Sequence, residues 1–250
     1  TLFRSTDSWV LDGGARQIST IDARGGRYIL VAAWGPAPVQ LTNLRVLEER
    51  QPLEQVGNFN SSDALLNRVW QVGVDTLYPN MSDAYSDPWR ERGQWWGDAF
   101  VIDHANMAAF GDSAVLARGL WQLAEAFENG RPQALAPNGA GNYMLDYGML
   151  WAQSLASYYQ RTGDTALVGQ LYPALGSLLG YLAGYTNPTS GLLDIPYGDW
   201  SQTSLIDWAA STDRYGQSTA VNALYYRTLL DAAGLADALG DTAQAAAWRL

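Results

Sequence analysis

The chain has 250 residues, 48% of them apolar and 16% charged, which excludes intrinsic disorder and leaves enough apolar matter for one large core or two small ones. A formal charge of −10 argues against a nucleic-acid partner, whose phosphates need a basic face, and no stretch approaches the ~20 uninterrupted apolar residues of a membrane span. With no Cys, all 15 cations Arg and His104 the single His, thiolate and lysine chemistry are excluded, and neither a His-rich metal site nor a Ser-His-Asp triad is expected. The lack of Cys fits a reducing compartment, and Thr1-Leu2-Phe3-Arg4 does not read as a secretory leader. What remains for chemistry is carboxylate and aromatic. Eleven Trp and 14 Tyr are a heavy load, and such rings either fill cores or stack on the apolar faces of sugars.

Residues 1–57 read as short strands. Arg16–Thr20, Arg27–Ala33 and Val39–Leu47 are rich in β-branched or aromatic residues and are separated by Asp12-Gly13-Gly14, Gly25-Gly26 and Gly35-Pro36-Ala37-Pro38. That is too little for a complete sandwich and reads as the tail of one. From Asn60 the period becomes helical: Ser61-Ser62-Asp63 offers N-caps, and Leu65, Leu66, Val69, Trp70, Val72 and Leu77 follow at helical spacing. Further helices are expected over about 97–110, 113–128, 144–162, 165–185, 217–239 and 242–250. The pattern Gly-Asp-Ser/Thr-Ala recurs at 111–114, 163–166 and 240–243, where Gly would turn left-handed past one helix and Asp or Ser/Thr would cap the next. Each is a tight turn between helices. The long loops 129–142 and 187–214 should then gather at the opposite end, as in a toroid of helical hairpins, and a site is expected on that loop-rich face.

The densest candidate runs from Tyr85 to Ala99, with three carboxylates (Asp87, Glu91, Asp98), two arginines (Arg90, Arg92) and three tryptophans (Trp89, Trp95, Trp96). Surrounding rings would raise the proton affinity of Glu91 and the arginines would lower it, a balance that sequence leaves open. Composition alone equally allows Asp98 as an N-cap, Glu91 and Arg92 as surface ions and the indoles as core.

This segment resembles the Asp-Cys-Pro-x-Arg-Glu-Arg-x-x-Trp-x-Gly-Asp-Ala signature of bacterial α-L-rhamnosidases of glycoside hydrolase family 78. The match is carried by Pro88, Arg90-Glu91-Arg92, Trp95 and Gly97-Asp98-Ala99. Gly26–Val31 is similar to the strand closing that family's β-sandwich, and Gly57–Asn67 to the entry of its helical barrel. The resemblance implies a mainly α fold, part of an (α/α)6 six-hairpin toroid over 58–250, preceded by the end of a β-sandwich over 1–57. It implies an inverting glycosidase without cofactor or metal, acting on a carbohydrate. Glu91 falls on the general acid, Trp95 and Asp98 on sugar-contacting positions, and the base on a Glu beyond residue 250. One departure stands out: the family has Asp-Cys-Pro where this chain has Ser86-Asp87-Pro88, which puts the identity of the sugar in question and leaves Asp87 to make the lost contact.

Other carboxylate–indole pairs suit a pyranose, since Asp accepts from vicinal hydroxyls while a ring covers a C–H face. Asp199-Trp200 and Asp207-Trp208 in the 187–214 loop are expected to contact sugar, with a loop tied down by buried Trp as the other reading. Asp146, with Trp151 five residues on, faces either the same cleft or a helix start. A carbohydrate-binding barrel without catalysis, or a hydrolase of another sugar or uronic acid, are the alternatives to a rhamnosidase.

Overall fold

The α-helices begin within two residues of where periodicity places them. The structure is a computed structural model and describes residues 6–20, 26–48, 50–87, 91–137, 141–209 and 211–249. Among these, the helices are α1 (Ala64–Leu77), α2 (Trp96–Ala109), α3 (Ala114–Glu125), α4 (Leu145–Thr162), α5 (Thr165–Ala183), α6 (Thr219–Ala238) and α7 (Thr242–Arg249). Asp63 caps α1 by accepting from Leu65 N at 2.8 Å.

The Gly-Asp-Ser/Thr-Ala repeat forms the three turns α2–α3, α4–α5 and α6–α7. Gly111, Gly163 and Gly240 stand at φ 68, 66 and 81°, where a side chain would be strained. In each turn the Asp supplies the cap. Asp112 Oδ1 accepts from Ala114 N at 3.0 Å, Asp164 Oδ1 from Ala166 N and Leu167 N at 3.0 Å each, and Asp241 Oδ1 from Gln244 N at 3.1 Å.

The hairpins pack in two layers: α4 lies against both α2 and α6, while α5 lies against α3 and closes on α4 and α6. Leu167, Leu171, Leu175, Leu178, Leu179 and Leu182 of α5 are buried, so this helix, apolar and long enough to cross a membrane, is a core element here. With tight turns at one end, the long connections 78–95, 126–144 and 184–218 all fall at the other. They are stitched to one another. Trp96 N donates to Ala134 O (2.9 Å), Tyr143 N to Ser201 O (2.7 Å) and Leu145 N to Thr203 O (2.8 Å).

Two expectations need correction. The strands expected at Arg16–Thr20, Arg27–Ala33 and Val39–Leu47 are not formed: no strand occurs among the described residues of 1–57, which are largely exposed up to Leu47. A strand is stabilised by a ladder partner and a covered face, and these segments provide neither for one another. From Arg50 the chain meets the helical part, with the Arg50 guanidinium 4.6 Å from the Tyr78 ring centre, Gln51 N on Met81 O (3.4 Å) and Gly57 N on Ala109 O (2.9 Å). On α1, Val74 and Leu77 are buried but Leu65, Leu66 and Val69 of the expected apolar face are exposed.

Candidate active site

The loop ahead of α2 is closed on itself by one residue. Asp87 N donates to Gly93 O at 2.9 Å, and Gly93 N donates back to Asp87 Oδ1 at 2.6 Å. Of the described residues between them, Glu91 supplies the carboxylate. Arg92, at φ 54°, reverses the chain into Gly93. Glu91 is exposed, and Trp95 Nε1 donates to its Oε2 at 3.3 Å. Pro88, Trp89 and Arg90, the last a candidate for sugar contact, lie outside the described residues.

Two residues upstream of Asp87, Tyr85 anchors this loop to the helices. Its hydroxyl donates to Asp103 Oδ1 at 3.0 Å and accepts from Asn106 Nδ2 at 2.7 Å. Arg161 of α4 pairs with the other Asp103 oxygen at 2.9 Å. Burial raises the Asp103 carboxyl, and Arg161 opposes it.

Asp98 and the two indoles take different roles. Asp98 is not the N-cap, a place Trp95 occupies without a side-chain bond; it sits half-buried in the first turn, where the helix dipole favours a carboxylate. Trp96 turns into the core with Nε1 on Ser154 Oγ at 3.2 Å, while Trp95, half-buried, stands edge-on to Tyr147 with centroids 6.3 Å apart. Tyr147 is a site-wall residue that the sequence argument missed. Its signal was Gly97: a Cβ there would lie 2.5 Å from the Tyr147 ring. The phenol is pushed up, by burial first and then by the charges of Asp98 and Asp146.

Asp87 is buried, at 4% exposure, so the expectation that it contacts sugar in place of the lost Asp is corrected: its carboxyl faces the Gly93 amide and the Glu91 carboxyl. Its titration is pushed up to about 6. Desolvation is the main cause, with the charges of Glu91 and Asp98 adding to it and the Gly93 amide opposing.

Asp146 and Trp151 are likewise corrected. Asp146 is 2% exposed, and its oxygens accept from Leu205 N (3.2 Å) and Ile206 N (2.8 Å). It faces the 184–218 loop from below, and burial raises its carboxyl despite those donors. Ile206 is thereby held at φ 57°, a conformation that costs a β-branched residue about 1–3 kcal/mol. Trp151 is fully buried, its Nε1 donating to Leu120 O at 2.9 Å, so five residues of spacing carried it into the core.

The strained turn displays the remaining candidates. Asp199 caps a short 3-10 turn, Trp200–Gln202, accepting from Ser201 N and Ser201 Oγ at 2.9 Å each. Asp207 Oδ1 accepts from Ala209 N at 2.7 Å. Both carboxylates are exposed, so each keeps a face open to solvent while ordering its own loop. Trp208, 74% exposed, stands edge-on to Trp200 at 4.9 Å. Trp95, Tyr147 and Trp200 all rest on one small apolar cluster of Ala134, Leu135, Met144 and Leu205. Residues from two loops and from α4 thus form one aromatic surface, with Glu91 at the Trp95 edge. His104, on the exposed side of α2, lies against Phe100 with Nδ1 2.7 Å from the Phe100 carbonyl.

Residues 54–250 match the family model of the bacterial alpha-L-rhamnosidase 6 hairpin glycosidase domain. Among solved structures, the chain is similar to a GH78 family rhamnosidase of Bacillus sp. GL1, with 27% identity, a TM-score of 0.72 and coverage of 80% of this chain and 21% of that one. It is also similar to a rhamnosidase from Klebsiella oxytoca with rhamnose bound, with 25% identity, a TM-score of 0.61 and coverage of 75% and 38%. The chain therefore spans well under half the length of either relative. No curated protein sequence matches it.

Proposed function

The chain belongs to the bacterial α-L-rhamnosidase six-hairpin glycosidase family, and from that premise we propose that it carries the acid half of a glycoside hydrolase active site. The substrate class is a terminal α-L-rhamnosyl or similar deoxy-sugar residue. Glu91 protonates the leaving oxygen while water attacks the opposite face of an oxocarbenium-like centre, with inversion. An inverting site needs a second carboxylate about 6.5–9.5 Å away to activate that water, and the resemblance assigns it to a Glu beyond residue 250. Trp95 orients Glu91, and Asp98, Tyr147, Trp200 and Trp208 with Asp199 and Asp207 offer apolar faces and acceptors to the sugar.

One observation carries the reading: an exposed carboxylate held by an indole N–H on a self-closed loop, at the loop-rich end of helical hairpins. The resemblance of Gly26–Val31 supports reading 1–57 as the end of a β-sandwich, whose ladder partners these residues do not give one another. A second reading, another deoxy-sugar or a uronic acid, is favoured by Asp87, which faces Glu91 and leaves the Ser86 position without a carboxylate.

The test is turnover of a panel of nitrophenyl glycosides by the natural full-length protein, followed by Glu91→Gln on an unactivated glycoside of the sugar found. Loss of general-acid assistance is worth about 10²–10⁴ in rate. Turnover near wild type on a poor leaving group would refute Glu91 as the acid. Turnover of a sugar other than rhamnose would keep the mechanism and move the specificity.

A further inference from the structure

Asp103 and Arg161 form a buried ion pair to which the reaction above gives no part. Asp103 is 2% exposed, and Arg161 Nη2 reaches its Oδ2 from α4 at 2.9 Å. Desolvation of two charges offsets much of their attraction, so an apolar pair of the same volume would often serve stability equally well. What an apolar pair lacks is direction. The other Asp103 oxygen accepts from the Tyr85 hydroxyl at 3.0 Å, and that hydroxyl accepts from Asn106 Nδ2 at 2.7 Å. Asp103 and Asn106 stand three apart on the buried face of α2, so the buried Tyr85 is fixed about two turns into that helix. The exit of its loop is fixed to the same helix. Trp95 is the N-cap of α2, Ala99 N donates to its carbonyl at 2.9 Å, and its indole Nε1 donates to Glu91 Oε2 at 3.3 Å. The loop that carries Glu91 is therefore tied to α2 at both ends. Asp87 and Gly93 cross-link it between them, through amide bonds of 2.9 and 2.6 Å, so a displacement of Tyr85 is passed toward the contact of Trp95 with Glu91.

We propose that Asp103 is a positioning residue for Glu91, acting through the Tyr85 hydroxyl to hold the Glu91 loop against the N-terminal turn of α2. This rests on Glu91 being the general acid. A hydrogen bond to a carboxylate is about twice as strong as one between neutral groups, and Arg161, bound to Ser157 Oγ at 2.8 Å as well as to Asp103, orients that carboxylate from the neighbouring helix. Trp96 Nε1 on Ser154 Oγ, at 3.2 Å, joins the same two helices nearer the site. The loop is thus referred to α2, and α2 to α4. Proton delivery to a leaving oxygen is sensitive to placement, since a shift of about 1 Å from a remote change can cost about 10²-fold in rate. Loosening the Tyr85 end therefore impairs the acid step while every group that touches the sugar stays in place.

The test uses the natural full-length protein and two glycosides of the sugar it turns over. One has an alkyl leaving group, whose oxygen must be protonated as it departs; the other has a dinitrophenyl group, which departs without a proton. Tyr85→Phe removes one oxygen and keeps the ring. On the alkyl glycoside its kcat and kcat/KM should fall together by about tenfold, while the dinitrophenyl glycoside should stay within about twofold of wild type. Asp103→Asn, isosteric and still an acceptor but uncharged, should show the same selectivity at about threefold. Added to Tyr85→Phe it should cost nothing further on the alkyl glycoside, because its effect runs through the hydroxyl. A merely structural pair would lower both glycosides alike. Equal losses on the two glycosides, no loss at Tyr85→Phe, or an Asp103→Asn loss that persists in full beside Tyr85→Phe would each overturn the proposal. Glu91→Gln on the same two glycosides separates the two failures. If it spares the alkyl glycoside, the acid lies elsewhere and the reading of Glu91 falls with the proposal; if it is selective where Tyr85→Phe is not, only the proposal falls.

Discussion

The two ends of the hairpin stack are built by opposite logic. At the turn end each connection is closed by its own residues: a left-handed Gly, then an Asp that caps the helix two or three residues on. At the loop end such local closures, as at Asp87, Asp199 and Asp207, are joined by bonds that span long stretches of chain. Asp146 holds backbone about 60 residues away, Arg131 reaches Gln202 at 2.8 Å, and Trp96 N rests on Ala134 O. Local closure makes the turns cheap and interchangeable. Closure at a distance makes the loop end a single unit, in which one buried side chain determines the shape of a surface it does not itself reach. A site that must hold a carboxylate against indoles drawn from two loops and a phenol on α4 requires the second kind of construction.

The sharpest way to break this contrast is Asp146→Ala. It leaves the amides of Leu205 and Ile206 without their acceptor beneath a strained turn, and the expected loss is about 3 kcal/mol in urea unfolding. Fluorescence should report displacement of Trp200 and Trp208. Asp146→Asn retains an acceptor and should cost much less. It also isolates a pH effect whose sign is fixed. Burial raises Asp146 above 3.8, so the folded state holds its proton where the unfolded state has lost it, and wild-type stability falls as pH rises through that interval. The Asn variant lacks this term, so the wild-type advantage over it should shrink as pH increases from about 4. A gap that widened instead would mean the carboxylate is stabilised by its donors more than it is penalised by burial.

Paired glycine substitutions sharpen the comparison at a smaller scale. Gly97→Ala drives a methyl into the Tyr147 ring, 2.5 Å away; overpacking of this kind costs about 1–3 kcal/mol. Because Tyr147 braces Trp95, which holds Glu91, turnover should fall along with stability. Gly163→Ala meets nothing within 4 Å and is strained only by its φ of 66°, so it should cost about 1 kcal/mol and leave turnover alone. If both variants lost activity equally, the ends would not be independent.

What could be read from the sequence divides along the same line. Helices, turns and caps were legible because their causes lie within four residues: Asp63, Gly111-Asp112, Gly163-Asp164 and Gly240-Asp241 do what their neighbours require. The motif names Glu91 and Trp95 four residues apart, and the loop brings the Trp95 indole N–H onto the Glu91 carboxylate. Trp151 and Asp146 were misjudged because helix phase and a partner about 60 residues away decide which side of the wall a residue faces. Asp87 was named as a candidate, but its role turns on the Gly93 amide folding back, which spacing does not reveal. The strands before Gln51 failed for the converse reason: propensity was present, and the ladder that would use it was not.

The smallest expected effect is the one that tests whether the turn end is as self-contained as it looks. Asp112→Ala removes the acceptor for Ala114 N and Val115 N at the start of α3. Lost N-caps cost about 1 kcal/mol, which in a chain of this size lowers the melting midpoint by about 2–4 °C. The same turn, however, has one link toward the site: Asp112 O accepts from Asn106 Nδ2, and Asn106 also donates to Tyr85, which anchors the loop of Asp87 and Glu91. That link runs through the Asp112 backbone, which the substitution keeps. Turnover should therefore be unchanged at Asp112→Ala and should fall at Tyr85→Phe, which cuts the same chain of bonds at the hydroxyl. Loss of turnover at Asp112→Ala would show that α3 capping and the site share one cooperative unit, and the distinction between the two ends would be one of distance only.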